Sequence, residues 1–213
     1  GLLESALSLQ SSNGGVWNLY TDGVNSKLLR VGSGNTTLNL YGQDVLRNLP
    51  RISFDENTGS VLRMNISADN SFSTFEFNSK GVIELAIAEG ASLKIEKLTT
   101  KNGVKSISNA EIVFYDYNAD AFLLEDSTLT AEDDKLYIPS VDSYIKLTAY
   151  DEAGNLLVGD WVYDWSEELG VGKLVLNAVP EPEAAAVLRR IGVGACRAAQ
   201  KKLIFCIRKI VYL

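Results

Sequence analysis

Short runs of alternating apolar and polar residues dominate the first hundred positions of the chain. This alternation has a period of two residues, which places apolar side chains on one side of a β-strand and polar side chains on the other. The apolar positions of the clearest runs are Leu38 and Leu40, Ile52 and Phe54, Leu62, Met64 and Ile66, Phe75 and Phe77, Ile83, Leu85 and Ile87, and Leu93 and Ile95. The pattern predicts a succession of half-buried strands whose apolar side chains face a core.

Turn residues such as Gly, Asn and Asp separate these strands roughly every 8 to 12 residues, a spacing typical of an all-β sandwich, barrel or solenoid. Between Ser60 and Leu98, four strands are joined by very short turns, and little of the segment favours helix. A β-solenoid is built in this way, because each coil stacks its inward aliphatic side chains on those of the next coil. We therefore predict an all-β fold with a short β-solenoid (β-helix) over residues 1–103. A β-sandwich is the alternative.

The pattern changes after Gly103. Residues 116–135 are acidic and predict a loop, with a short helical turn at 128–133. The segments with strand character are 110–115, 143–150, 156–163 and 172–177. We expect residues 104–178 to form a β cap or meander that closes the end of the solenoid, because an open stack of strands leaves an unpaired edge. Residues 179–213 then form a separate tail that begins as a short helix.

Composition and charge exclude several functions. The chain contains no histidine, which removes the Ser-His-Asp triad, the Cys-His pair and His-ligated zinc. All 27 acidic residues lie at or before Glu183, whereas 7 of the 20 basic residues follow it, so residues 1–183 carry a formal charge of −14 and residues 184–213 carry +7. Such an acidic body repels phosphate backbones, and we expect no nucleic-acid partner. Both cysteines, Cys196 and Cys206, lie in the tail, and a body without thiols is typical of an exported protein.

The start of the tail resembles a known sorting signal. Val179, Pro180, Glu181 and Pro182 directly follow the last predicted strand, small residues come next, and basic residues lie near the end. This arrangement resembles the PEP-CTERM domain of exported bacterial proteins, and the preceding residues are similar to the ends of passenger-type (autotransporter-like) β-solenoid proteins that carry it. The resemblance implies that an exosortase-type enzyme recognises Pro180, Glu181 and Pro182 and processes the protein for the cell surface or the extracellular matrix.

The tail departs from that family where a membrane-spanning helix is expected. A span needs about 20 mostly apolar residues. Here Arg189, Arg190 and Arg197 interrupt it, so the tail as written does not cross a membrane. A frameshift near Leu188 would explain the sudden basic character and is our preferred interpretation. The alternative is a basic amphipathic helix that adsorbs to anionic membranes, so that membrane contact is made only through the tail.

One acidic segment resembles the start of a calcium-binding loop. Asp116, Asn118 and Asp120 place oxygen ligands at alternate positions, as a hard cation requires. Ala121 stands where such a loop needs glycine, and Ser127 stands at the twelfth position where glutamate is the usual ligand. A solvated acidic loop is therefore the preferred interpretation, and we expect no metal and no cofactor.

An aromatic row is the remaining candidate site. Trp161, Tyr163 and Trp165 alternate along one predicted strand, so their side chains share one side, which either packs in the core or stacks on sugar rings of a surface polysaccharide. We predict a non-enzymatic exported surface or extracellular-matrix protein. The alternative is a carbohydrate-binding or carbohydrate-active β-solenoid, a glycoside hydrolase or lyase, since paired carboxylates hydrolyse glycosides without histidine.

Overall fold

A computed structural model describes residues 3–5, 9–11, 13–20, 24–55, 59–100, 107 and 109–178 of the chain. These residues belong to one compact unit, Gly1–Ala178. The sorting motif and the predicted helical tail, residues 179–213, lie outside the described residues.

The described part of the chain forms strands joined by turns, with one short 3₁₀ turn at Pro139–Val141. The strands are β1 (Leu3–Ser5), β2 (Leu9–Ser11), β3 (Gly15–Leu19), β4 (Val24–Ser26), β5 (Leu29–Val31), β6 (Gly34–Leu40), β7 (Arg51–Phe54), β8 (Ser60–Ile66), β9 (Asn70–Phe77), β10 (Val82–Ile87), β11 (Leu93–Thr100), β12 (Glu111–Tyr115), β13 (Phe122–Leu124), β14 (Thr130–Glu132), β15 (Lys135–Ile138), β16 (Ser143–Tyr150), β17 (Leu156–Leu157), β18 (Gly159–Ser166) and β19 (Val171–Ala178).

The chain winds between two parallel sheets. Sheet I contains β2, β5, β7, β9, β11 and β13 in that spatial order, and sheet II contains β3, β6, β8, β10, β12 and β16. Neighbouring strands within each of these series are parallel. The chain passes from a strand of sheet I to one of sheet II and then back to the next strand of sheet I. This is a β-solenoid of about four turns, so the predicted fold is confirmed.

The core lies between the two sheets and consists of the alternating apolar residues. Every apolar position named above as inward is buried in the structure. Phe54, Phe75 and Phe77 form an aromatic cluster in sheet I, with ring centroids 4.9 to 6.2 Å apart. Gly81 lies against this cluster, because a Cβ at that position would overlap the ring of Phe54. Glycine is therefore required at this turn for packing.

Antiparallel strands close the C-terminal end of both sheets. In sheet I, β19 pairs antiparallel with β13 and with β18. In sheet II, β15 pairs antiparallel with β16 and with β14, and β17 pairs with the other end of β16. The stacked coils nevertheless continue past residue 103, since β12, β13 and β16 are still parallel to the preceding strands. The coil region is therefore longer than predicted.

The helical turn predicted at residues 128–133 is wrong. Thr130–Glu132 forms strand β14, which pairs with β15 across a turn at Asp133 and Asp134. Asp133 adopts a φ of 52°, a left-handed conformation that aspartate tolerates in tight turns. The hairpin satisfies the backbone groups that a helical turn would have used.

Candidate functional site

The aromatic row of β18 faces the core. Trp161 is 3% exposed, and its ring lies 5.6 Å from that of Phe114 and 5.2 Å from that of Tyr117. Tyr163 and Trp165 point to the same side and are partly buried. Of the two uses considered for this row, packing is the one observed, so Trp161 is not available to stack on a sugar.

The hydroxyl of Tyr163 is held within the cap. It donates to two backbone carbonyl oxygens, that of Asp126 at 2.8 Å and that of Leu124 at 3.1 Å. Burial raises the pKa of Tyr163 far above its usual value near 10, and the charge of Asp126 adds to the shift. Tyr163 therefore joins β18 to the loop after β13 and serves a structural role.

The candidate calcium ligands do not converge on one point. The side-chain oxygen of Asn118 accepts the backbone N–H of Asp120 at 3.0 Å, and the carboxylate of Asp120 forms an ion pair with Lys173. Asp116 adopts a φ of 52° at the start of the turn. Within the described ranges, no group of three or more acidic or cysteine side chains is placed to hold a metal ion.

An acidic depression of about 460 Å³ lies beside this loop. Its rim carries Glu89, Asp116, Asp151 and Glu152. The side chain and backbone N–H of Asn155 donate to the carboxylate of Asp151, and these hydrogen bonds lower the pKa of Asp151. A general acid in glycoside hydrolysis needs a raised pKa, so Asp151 is unsuited to that role.

The outer side of sheet II carries most of the tyrosines. They lie at the ends of successive strands or point outward from them, and they form three ring pairs: Tyr20 with Tyr41, Tyr115 with Tyr150, and Tyr137 with Tyr144. The first two pairs are nearly parallel stacks, with interplanar angles of 13° and 12° and centroid separations of 4.7 and 5.4 Å. The first pair is the more exposed, at 61% for Tyr20 and 46% for Tyr41.

An asparagine ladder runs beside the first tyrosine pair. Asn18, Asn39 and Asn65 occupy matching positions on β3, β6 and β8. The amide nitrogen of Asn39 donates to the amide oxygen of Asn18 at 2.7 Å, and that of Asn65 donates to Asn39 at 2.7 Å. We call these asparagines, together with Tyr20 and Tyr41, the tyrosine–asparagine face.

One ion pair lies directly beside this face, because the Nε of Arg63 donates to the amide oxygen of Asn65 at 3.4 Å. Arg63 lies 4.0 Å from Glu84 in an ion pair, and its guanidinium lies 5.1 Å from the ring centre of Tyr115. Burial raises the pKa of Tyr115, with a further contribution from the charge of Glu84. The charges of Arg63 and Glu84 therefore neutralise each other.

Ion pairs between neighbouring coils lie on the outer sides of both sheets. Sheet I carries Arg51 with Glu76 at 2.9 Å and Lys94 with Glu125 at 2.7 Å, and sheet II carries Arg63 with Glu84 and Lys146 with Glu111 at 3.0 Å. The tyrosine pairs are what distinguish sheet II. They could not be predicted from the sequence, because they depend on which strands are neighbours.

Comparison with protein-family models, with curated proteins and with solved structures gives no match to this chain. The predicted sorting residues Val179, Pro180, Glu181 and Pro182 lie outside the described residues. In the part that is described, no helix has the length and apolar character of a membrane span.

Proposed function

We propose that this protein is a non-enzymatic, exported surface or extracellular-matrix protein. Its β-solenoid body is a scaffold, and its tail carries a PEP-CTERM-like sorting signal. The observation that carries the proposal is the position of Pro180, Glu181 and Pro182, two residues after β19 ends at Ala178. A sorting signal needs to follow the folded body in this way, so that a processing enzyme can reach it as an extended segment.

The proposed partner is an exosortase-type enzyme that recognises the three residues. The basic tail after them provides the only membrane contact of the protein in this proposal. A frameshift near Leu188 accounts for the three arginines that interrupt the span, and the basic amphipathic helix remains the alternative.

Reading the gene in its other two frames beyond the Leu188 codon tests the proposal. We expect one frame to encode about 15 to 20 apolar residues followed by an arginine cluster. Restoring that frame should move the protein from the soluble to the membrane fraction of an exosortase-containing host. Replacing Pro180, Glu181 and Pro182 by alanine should then block its release.

A matched control replaces Glu167, Glu168 and Leu169, in the exposed turn between β18 and β19, by alanine in the restored protein. This control should be released normally, because the turn belongs to the body and not to the signal. If no frame encodes an apolar segment, the frameshift hypothesis fails. The tail must then show salt-sensitive binding to vesicles of anionic lipid, since its attraction would depend on seven positive charges.

Carbohydrate binding is the second candidate function, and the outward tyrosines of sheet II favour it. Aromatic rings with a polar tip are suited to surfaces that contact both the apolar faces and the hydroxyls of sugars. The enzymatic form of this alternative predicts turnover of a polysaccharide that a single carboxylate substitution abolishes.

A further inference from the structure

We propose that the tyrosine–asparagine face binds an extended, uncharged polysaccharide. The inference rests on the proposed function in one respect: a protein of the cell surface or the extracellular matrix is exposed to such polymers. Three properties of the face support it: an open aromatic ring, amide donors that the ladder leaves unused, and a neighbouring cation, Arg63, that is already paired.

The open ring is that of Tyr41. Its ring pairs with Tyr20 on the N-terminal side, and the next two positions in the same row are Ser67 and Ala88. Backbone hydrogen bonds define this row. The N–H of Ser67 donates to the carbonyl oxygen of Leu40, and the N–H of Ala88 donates to the carbonyl oxygen of Ile66, both at 2.9 Å. Because Ser67 and Ala88 are small and exposed, they leave a shelf beside the ring of Tyr41.

The shelf is bounded on its other side by Tyr115 and Arg63. Ala86 lies between Asn65 and Tyr115 in the neighbouring row, and Tyr115 stacks on Tyr150. The guanidinium of Arg63 reaches from β8 to the ring of Tyr115 and forms an ion pair with Glu84. A sugar chain on this face would therefore run across the strands, along the asparagine row and past Tyr41, and would end at Arg63.

The asparagine ladder supplies hydrogen-bond donors beside the two tyrosines, in a row that crosses β3, β6 and β8. Each amide group has two N–H donors, and the ladder uses one of them in Asn39 and one in Asn65. Among the described residues, no other acceptor takes the second donor. Sugar hydroxyls would accept these bonds at intervals of one strand, a distance comparable with the length of one pyranose unit.

Charge decides between an uncharged and an anionic polymer. Residues 1–183 carry a formal charge of −14, which repels anionic polysaccharides at long range. Beside the face, Arg63 is already paired with Glu84 and lies over the ring of Tyr115. No uncompensated cation therefore attracts a carboxylate or sulfate, and an uncharged polymer is the better fit.

Affinity electrophoresis of the full-length chain tests the proposal. The native gels contain hydroxyethyl cellulose or mannan as uncharged polymers, or alginate as an anionic one. We expect at least one uncharged polymer to retard the protein and alginate to leave its mobility unchanged. Tyr41→Ala and Asn39→Ala should each raise the apparent Kd about tenfold, whereas Tyr41→Phe should retain most of the binding, because the ring remains.

Tyr144→Ala is the matched control. Tyr144 is 48% exposed, similar to Tyr41, but it lies on β16 away from the asparagine ladder. Its replacement should not change the mobility, and circular dichroism of all variants should match that of the unsubstituted chain.

Three results would overturn the proposal: no retardation by either uncharged polymer, preferential binding of alginate, or equal losses in Tyr41→Ala and Tyr144→Ala. A dimer seen by analytical ultracentrifugation that Tyr41→Ala dissociates would instead assign the face to a second copy of the chain. Because the assay uses purified protein, it fails or succeeds independently of the sorting experiment, which measures only location.

Discussion

Truncation of Leu85 to alanine is the sharpest test of the coil core. Leu85 lies in the middle of β10 and is 1% exposed. It shares its register with Met64 on β8 and with Phe114 on β12, so its side chain belongs to an inward row that crosses successive coils. Hydrogen-bonded strands on both sides limit the collapse of the backbone into the space that a missing side chain would leave.

The magnitude follows from this limited relaxation. Replacing a buried leucine by alanine costs about 2–5 kcal/mol, and the loss grows with the cavity that remains. We expect Leu85→Ala to lower the free energy of unfolding by about 3 kcal/mol. This is a large part of the total for a domain whose stability is about 5–15 kcal/mol.

Equilibrium urea unfolding measures this loss as a lower transition midpoint at an unchanged slope. Glu84→Ala is the matched control, because Glu84 is the preceding residue and points outward, where it pairs with Arg63 at 4.0 Å. An exposed pair of this kind contributes about 0–1 kcal/mol. Equal losses in the two variants, or a loss below about 1 kcal/mol for Leu85→Ala, would refute the assigned facing of β10.

Two further substitutions test the packing of the turns and of the cap. Gly81→Ala should cost about 1–3 kcal/mol in thermal or urea unfolding, because the new methyl group overlaps the ring of Phe54; a neutral effect would show that the turn can move away. For Tyr163, burial raises the pKa, so the native phenol stays neutral while the unfolded one ionises above about pH 10. The resulting stability is fully present below pH 10 and is lost as the pH rises further. Urea midpoints from pH 8 to 11 should therefore fall less steeply in Tyr163→Phe, and parallel pH profiles would contradict this reasoning.

Alternation predicted the inward residues because a strand has a strict period of two. Leu62, Met64 and Ile66 illustrate this, since all three are buried in β8 while Arg63 between them is exposed. The prediction needed no knowledge of the neighbouring strands, because in a solenoid every coil turns the same side of its strands to the same core. The local sequence therefore determines which side of each strand faces the core.

Properties that depend on strand pairing were not predictable in this way. The segment at residues 128–133 has the local composition of a turn, and it is a strand only because β15 pairs with it. The end of the coil region was misplaced for a related reason. The pattern changes after Gly103 because the connections become longer and the β14–β15 hairpin interrupts the last coil, although β12 and β16 still continue the parallel series.

The two aromatic sets show what limits the prediction of a site. In β18, the residues between the aromatics are Val162 and Asp164, and the exposed carboxylate on that side indicates that Trp161 and its neighbours face inward. Tyr20 and Tyr41 gave no comparable local signal, because each follows the last residue of its strand.

The alignment of the tyrosine–asparagine face arises only from register between coils. Asn18 and Asn39 are 21 residues apart, whereas Asn39 and Asn65 are 26 apart. Of the five extra residues, two lie between Leu40 and Ile52, in the connection that sends Val45, Leu46 and Leu49 into the core, and three lie between Phe54 and Ser60. A row that crosses coils of unequal length leaves no fixed period in the sequence. A binding face built from such rows therefore becomes visible only when the coils are stacked.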